Sequence, residues 1–142
     1  MKKLSSLMIA VFIAMAFQSV HSFNQGDLVK AKKGERNLEK ADLSYADLRG
    51  ANLSQVNLTQ ANLTYAKLAR ANLSGANLNG ANLLSADLTN TNFSNATLIG
   101  VNFTGANLTN TNFLKARIGT FWKELITKSG ARNKNTIDWA GY

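Results

Sequence analysis

The chain has 142 residues, a formal net charge of +8, no cysteine and a single histidine, His21. Without cysteine, disulfide bonds and thiolate metal sites are excluded. Because His21 lies in a segment that we predict is removed from the mature protein, histidine-dependent acid–base or metal chemistry is excluded there as well.

The N-terminus predicts a secretory signal peptide over residues 1–22. Two lysines precede an apolar run over residues 7–17, and Val20 and Ser22 occupy the positions that a signal peptidase recognises. The run is shorter than the roughly 20 residues that span a bilayer, and a lipid anchor would need a cysteine. We therefore expect cleavage after Ser22, no stable membrane insertion of the mature protein, and a periplasmic or secreted location. An uncleaved anchor is the alternative.

Residues 23–35 are predicted to form an N-terminal cap. A short helix is expected from Asp27 to Lys33, with Asp27 as its N-cap and Gly34 as the residue that ends it. A cap is expected because the end of the solenoid predicted next would otherwise expose core side chains and unpaired backbone groups.

Residues 36–120 carry a five-residue repeat. A Leu, Phe or Ile, the central residue of each repeat, recurs at every fifth position from Leu38 to Ile118, seventeen times without an insertion. The residues that stand two places before the last sixteen of these central residues, from Ala41 to Ala116, are all Ala, Val or Thr. A period of five matches neither the 3.6 of a helix nor the 2 of a strand, so the segment is predicted to be a solenoid of whole repeats.

The size of one coil follows from a longer repetition. The hexapeptide Leu-Thr-Asn-Thr-Asn-Phe occurs at residues 88–93 and again at 108–113, twenty residues later. Twenty residues are four repeats, so we predict four-sided coils stacked about 4.8 Å apart. The large and the small residue of each repeat should point inward, because only small groups leave room for four large side chains in one layer. The remaining polar positions should face water and form the corners.

The repeat follows the pattern Ala-(Asp/Asn)-Leu-x-x, as in Ala41-Asp42-Leu43, Ala51-Asn52-Leu53, Ala71-Asn72-Leu73 and Ala106-Asn107-Leu108. In this pattern the chain resembles the pentapeptide-repeat family over about 85 residues. The resemblance implies an all-β fold, a right-handed quadrilateral β-helix of about four coils. It implies no catalytic residues and no cofactor, since the family is a set of interaction and structural proteins.

Residues 121–142 are predicted to form a C-terminal capping helix and a tail. Thr120 would open the helix and Gly130 would close it. Four apolar residues share one helical stripe that should cover the last coil: Phe121, Trp122, Leu125 and Ile126. Use of Phe121 and Trp122 as an anchor for a partner is the alternative. The tail contains Ile137, Trp139 and Tyr142, and the sequence leaves open whether it docks on the solenoid or binds a partner.

The charge is unevenly distributed along the chain. Between residues 41 and 114 three cations and three anions cancel, so the flanks carry the excess. Some pentapeptide-repeat proteins protect DNA gyrase by presenting an acidic, DNA-like surface. The neutral repeats and the signal peptide both argue against that topoisomerase-protecting role, which remains the alternative function. Basic flanks favour solubility; anionic lipid and cell-wall polymer remain open as partners, whereas nucleic acid is not expected.

Stacking at twenty residues per coil places equivalent positions in columns. Tyr45 then lies over Tyr65, with Arg49 and Arg70 on the neighbouring side. Tyrosine and arginine are enriched where interfaces concentrate their binding energy, so these four residues, together with Trp139, are the candidate partner-binding residues. A purely structural tyrosine stack is the alternative.

Two other columns carry polar side chains. Asp47, Lys67, Asp87 and Asn107 are predicted to form an exposed charge ladder, with a carboxylate site for hydrolysis of envelope polymers as the alternative. A second column is predicted to form an amide ladder: Asn52, Asn72, Asn92 and Asn112.

The sequence as a whole predicts an exported, non-catalytic interaction or scaffold protein. It would bind an unidentified protein or envelope polymer through the surface of the solenoid, without metal or cofactor. Homo-oligomerisation stays open.

Overall fold

The computed structural model describes residues 24–141 of the chain. The predicted signal peptide and Tyr142 lie outside the described residues. Helix α1 spans Gln25–Lys32 and α2 spans Lys123–Lys128, and 3₁₀ turns occupy Thr120–Trp122 and Lys134–Thr136. A parallel three-stranded sheet is formed by β1 (Thr97–Leu98), β2 (Arg117–Gly119) and β3 (Asp138–Ala140), in that order. Among the described residues, no helix is long and apolar enough to cross a membrane.

Backbone pairing in the repeats recurs every twenty residues. Parallel bridges join Asn37 to Asn57, Asn57 to Asn77, and Asn77 to Thr97. The same offset holds in the other three columns, and β1 pairs with β2 in that register, Thr97 opposite Arg117. The spacing predicted from the two hexapeptides is therefore the register of the coils.

Each repeat ends in a β-turn. The N–H of the small residue donates to the carbonyl of the central residue three places earlier, as from Ala46 to Leu43 at 3.1 Å. The residue just before the small one has a φ between 53° and 69° in all sixteen repeats from Lys40 to Lys115, which makes the turns type II. Only five of these sixteen left-handed residues are glycine. The corner thus lies two residues after each central residue.

An Asn or Asp precedes every central residue except those after Lys67, Thr97 and Arg117, and it supports the same turn. Asn57 Oδ1 accepts a hydrogen bond from the N–H of Thr59 at 3.1 Å, and Asp87 Oδ1 accepts one from the N–H of Thr89 at 3.0 Å. Because a short side-chain oxygen can satisfy the backbone donor two residues later, Asn and Asp suit this position.

The interior is filled as the repeat predicts. All seventeen central residues from Leu38 to Ile118 are buried, and the small residues are buried too, except Ala51 and Ala106, which are partly buried. Phe93 and Phe113 stack in successive coils with ring centroids 5.7 Å apart. Where Thr replaces Ala at a small position, its hydroxyl donates to a backbone carbonyl, Leu68 O or Leu88 O, at 2.8 Å.

Helix α1 begins earlier than predicted. Its N-cap is Asn24, whose Oδ1 accepts hydrogen bonds from the N–H groups of Gly26 and Asp27 at 2.9 and 3.4 Å. The prediction of Asp27 as N-cap is wrong, because Asn24 supplies a capping side chain almost one turn earlier. Asp27 instead accepts the N–H of Asp42 through Oδ2 at 3.1 Å, which fastens the helix to the first coil.

The end of α1 is where the sequence places it. Gly34 has a φ of 77°, its N–H donates to Ala31 O, and the N–H of Glu35 donates to Lys30 O, each at 3.1 Å. This pair of bonds is a Schellman motif, which requires a left-handed residue and so favours glycine.

The C-terminal helix differs from its prediction. Ile126 is fully buried, and Trp122 is partly buried, with its ring edge-to-face against Phe103 at 5.8 Å and its Nε1 donating to Val101 O at 2.6 Å. Phe121 is 83% exposed and Leu125 is 40% exposed, so the prediction that both cover the last coil is wrong. The segment opens as a 3₁₀ turn of three residues per turn, which breaks the 3.6-residue phase of the predicted stripe.

The tail docks on the solenoid. The N–H of Arg132 donates to Thr111 O at 2.7 Å, and β3 extends the pairing of β2, with Trp139 opposite Ile118. Ile137 is buried, and the partly buried Trp139 packs against the core. For these described residues the question left open by the sequence is answered in favour of docking.

Candidate functional site

The exposed tyrosine pair is formed as the coil register predicts. The rings of Tyr45 and Tyr65 stack with centroids 5.0 Å apart and planes 13° from parallel, and the residues are 41% and 47% exposed. Both residues occupy left-handed corners, with φ of 58° and 57°. A left-handed backbone costs a non-glycine residue roughly 1–2 kcal/mol, and an aromatic pair contributes about 0.5–1.5 kcal/mol beyond its buried area. Stacking therefore offsets the strain at most in part, whereas glycine would avoid it.

Small residues follow the tyrosines in their column. Ser85 and Gly105 occupy the same corner in the next two coils and are likewise left-handed. The tyrosine pair is thus followed in its column by residues with a small side chain or none.

Arg49 is held by a carboxylate of its own repeat. Its Nε donates to Asp47 Oδ1 at 2.8 Å and its Nη2 donates to Asp47 Oδ2 at 2.6 Å. The hydrogen bonds from this guanidinium lower the pKa of Asp47 to about 2, and the charge of Lys67 adds to the effect. The pair could not be predicted by aligning equivalent positions of successive coils, because Asp47 and Arg49 flank Leu48 within a single turn.

Arg70 faces a broad, open depression on one side of the solenoid. The depression is also lined by Arg49, by Asp87 and, below the first coil, by Lys32 and Lys33. Among the described residues, neither lysine nor Arg70 forms an ion pair, whereas Arg49 is paired. Three cations in and around this depression are thus available to an anionic group.

The predicted partner-binding residues do not all come together. Arg49 and Arg70 line the same depression, Tyr45 and Tyr65 stack at a corner of the same two coils, and Trp139 lies at the other end, beside the last coil. The ring of Trp139 has Lys123 Nζ 5.9 Å from its centroid. The tyrosines occupy one corner of the first two coils, and Arg70 occupies the next corner, which Arg49 directly precedes. We call these four residues the tyrosine–arginine surface, and Trp139 belongs to another part of the rod.

The predicted charge column exists, but its carboxylate Asp47 pairs with Arg49 of the same turn and not with Lys67 of the next coil. Bridges join Asp47 to Lys67, Lys67 to Asp87 and Asp87 to Asn107, which confirms the shared column. Within the described residues, Lys67 makes no ion pair with either carboxylate. No cluster of three or more His, Cys, Asp or Glu that could hold a metal ion occurs among those residues.

The amide ladder is present from Asn72 to Asn112. Asn112 Nδ2 donates to Asn92 Oδ1 at 3.0 Å, and Asn92 Nδ2 donates to Asn72 Oδ1 at 3.2 Å. The predicted continuation to Asn52 is not made by a side-chain hydrogen bond in the described chain; Asn52 Oδ1 accepts the N–H of Ser54 instead.

Comparison with known proteins identifies the repeats. The family described as pentapeptide repeats (8 copies) matches residues 37–75, 57–95 and 86–118. A pentapeptide repeat protein from Nostoc PCC 7120 matches with a TM-score of 0.67 and 26% identity, over 82% of this chain and 96% of its own. No curated protein matches this chain in sequence.

A second solved structure is a pentapeptide repeat protein from the thylakoid lumen of Arabidopsis thaliana. It matches with a TM-score of 0.51 and 34% identity over 60% of this chain, which spans about half (52%) of that protein. Pentapeptide repeat proteins are in general structural repeat proteins without catalytic activity. From the repeat register, the family match and these structures, the chain belongs to the pentapeptide-repeat family and has its right-handed β-helical fold.

Proposed function

We propose that this protein is an exported, non-catalytic binding protein that captures an unidentified protein or envelope polymer on its tyrosine–arginine surface. The observation that carries the proposal is the exposed stack of Tyr45 on Tyr65 at two corners where glycine would cost less. Tyrosine and arginine are among the residue types from which interfaces draw most of their binding energy. The predicted signal peptide supports a periplasmic or secreted location.

The ends of the solenoid fit the same picture. We propose that α1 and the segment after Gly119 cap a rod of about four coils, because each is fastened to an end coil by backbone hydrogen bonds. Asn24 donates its N–H to Asp42 O at 3.1 Å, and Arg132 donates its N–H to Thr111 O at 2.7 Å. With both ends covered, the sides of the rod are left as the surface for binding.

The binding site is tested with substitutions to glycine, because glycine adopts the left-handed backbone of the corners without strain. The double variant Tyr65→Gly/Arg70→Gly removes both side chains at left-handed positions, and Gln60→Gly/Asn95→Gly makes the same backbone change at two other corners. We expect the first variant to weaken capture of the partner from the envelope fraction about tenfold or more, or about 1.4 kcal/mol. The control should bind as the parent does, and neither variant should melt much below it.

Unchanged capture by the Tyr65→Gly/Arg70→Gly variant would overturn the assignment of this surface and make Trp139 the next residue to test. Export is tested separately by the intact mass of the protein isolated from its host. A mass that includes residues 1–22 would contradict cleavage after Ser22. The alternative, a topoisomerase-protecting protein, would require a cytosolic chain with an acidic face, whereas residues 41–114 have no net charge.

A further inference from the structure

The most exposed large apolar side chain described lies at the C-terminal end of the rod. Phe121 is 83% exposed, whereas the other exposed large apolar residues fall between 37% and 47%. Its ring stands perpendicular to that of Trp122 at 4.9 Å, and Trp122 is fixed by its hydrogen bond to Val101 O. Phe121 is therefore presented to solvent on a rigid support.

A second apolar side chain extends the same patch. Leu125, four residues later and 40% exposed, borders with Phe121 a shallow, mostly apolar depression that reaches Gly105 of the repeats and Lys128 of α2. We call Phe121, Leu125 and this depression the C-terminal patch. An exposed apolar patch rimmed by polar residues is typical of an interaction site.

The surroundings of the C-terminal patch are basic. Residues 115–138 contain six cations and two carboxylates, a net charge of +4. At the other end of the rod, residues 27–40 contain five cations and three carboxylates, a net charge of +2. The two carboxylates are paired, Asp138 with Arg117 at 3.4 Å and Glu124 with Lys128 at 2.6 Å. Four cations then have no carboxylate partner among the described residues: Lys115, Lys123, Arg132 and Lys134.

Backbone carbonyls and an aromatic ring, which carry no net charge, hold three of these cations. Lys134 Nζ donates to Thr127 O and Ser129 O at 2.8 and 3.1 Å, Arg132 Nε donates to Asn110 O at 3.3 Å, and Lys123 Nζ lies over Trp139. Their positions are fixed while their charges remain uncompensated. The C-terminal end of the rod thus carries both uncompensated positive charge and exposed apolar side chains.

We propose that the C-terminal patch docks the rod on an anionic lipid surface. Phe121 and Leu125 would enter the boundary between headgroups and acyl chains, and the uncompensated cations would face anionic headgroups. A second copy of the chain fits less well, because a symmetric contact through this end would bring two surfaces of net charge +4 together. The proposal does not depend on the tyrosine–arginine surface.

Vesicle co-sedimentation tests this proposal. The parent protein and every variant are compared in the same form, either all with or all without residues 1–22. The probes are vesicles of phosphatidylcholine alone and of phosphatidylcholine with phosphatidylglycerol. We expect binding only to the anionic vesicles, weakened by added salt. Phe121→Ser should reduce this binding about tenfold, and Lys123→Gln should reduce it less, because one of several cations is lost.

The matched control is Val29→Ser, which removes a 47% exposed apolar side chain at the opposite end of the rod. It should leave vesicle binding unchanged, and melting curves should show that all three variants are folded. Absence of binding to anionic vesicles, unchanged binding by Phe121→Ser, or an equal loss with Val29→Ser would each overturn the proposal. Light scattering that shows a dimer abolished by Phe121→Ser would overturn it in favour of a second copy.

Discussion

The repeats over residues 37–118 and the segment over residues 119–141 are built on different principles. In the repeats the same environments recur every five residues. The central residue is buried, the small residue is buried or partly buried, and the residue before the small one has a left-handed backbone. In the C-terminal segment each contact occurs once, such as the bond from Trp122 to Val101 O. Repetition thus gives the rod its regular core, and residues 41–114 have no net charge. Residues 115–138 carry a net charge of +4, and the most exposed large apolar side chain, Phe121, lies among them.

Deleting one residue from the repeats should have the largest effect. Removal of Gly75 shifts every later central residue by one position, which turns the inward set outward and breaks the ladder in all later coils. We expect the variant to lose its cooperative melting transition in circular dichroism. Deletion of residues 71–90 is the matched control, because it removes one whole coil and keeps every column in register. A single deletion that melts like the parent would contradict the coil register.

A buried side chain should matter more in the repeats than in the C-terminal segment. Leu68 and Ile126 are both fully buried. Leu68→Ala should cost about 2–5 kcal/mol in the free energy of unfolding, because neighbouring coils cannot collapse into the cavity. Ile126→Ala should cost about 2 kcal/mol, since a terminal segment can open locally. Leu114→Ala, at a 37% exposed position, is the control and should change stability by about 0.5 kcal/mol or less. Urea denaturation measures all three, and a larger loss for Ile126→Ala would reverse the comparison.

Replacing a glycine at a corner of the repeats should cost more stability than replacing a glycine of the C-terminal segment. Gly75 has a φ of 66°, and an added Cβ would lie 3.4 Å from Gln55 Cγ. Gly75→Ala should therefore destabilise by about 1 kcal/mol. Gly130, outside the left-handed region, would place a Cβ at 3.7 Å from its nearest neighbour, so Gly130→Ala should be close to neutral. Equal melting temperatures for the two variants would show that the corners tolerate any residue.

The smallest expected effect concerns the ion pair of Asp47 with Arg49. Because the pKa of Asp47 in the folded protein is about 2, below its ordinary 3.8, the pair stabilises the fold above about pH 4. That contribution is lost as the pH falls from about 4 to about 2, and it is small because both side chains are about half exposed. An NMR titration should show the pKa of Asp47 rising in Arg49→Ala and unchanged in Arg70→Ala. Titration of Asp47 near 3.8 in the parent protein would contradict the pair.

The repeats could be predicted from the sequence because the same five-residue pattern occurs seventeen times in succession. The inward positions follow from the five-residue series from Leu38 to Ile118, and the twenty-residue register follows from the hexapeptide repeated at residues 88–93 and 108–113. Neither inference needs any knowledge of tertiary contacts. The left-handed corners were harder to see, because eleven of the sixteen are not glycine, Tyr45 and Tyr65 among them. At Tyr45 and Tyr65 a tertiary contact, the stacking of the two rings, offsets part of the strain.

The ends could not be predicted in the same detail. Asn24 and Asp27 are both good capping residues, and only docking on Asp42 assigns them different roles. Likewise Phe121 and Trp122 are adjacent aromatic residues, and the sequence does not indicate that only Trp122 packs against the core. The bond between Arg49 and Asp47 was missed for a related reason, because it crosses one turn rather than joining two coils.

The twenty-residue register is tested most directly by NMR scalar couplings across hydrogen bonds. In the middle of the rod the N–H of Leu63 donates to Asn82 O at 2.8 Å, and the N–H of Asn82 donates to Ala61 O at 2.9 Å. We predict couplings from the amide nitrogen of Leu63 to the carbonyl carbon of Asn82, and from the amide nitrogen of Asn82 to the carbonyl carbon of Ala61. Coupling of Leu63 to Asn77 or Asp87 instead would mean a coil one repeat shorter or longer, and would contradict the register.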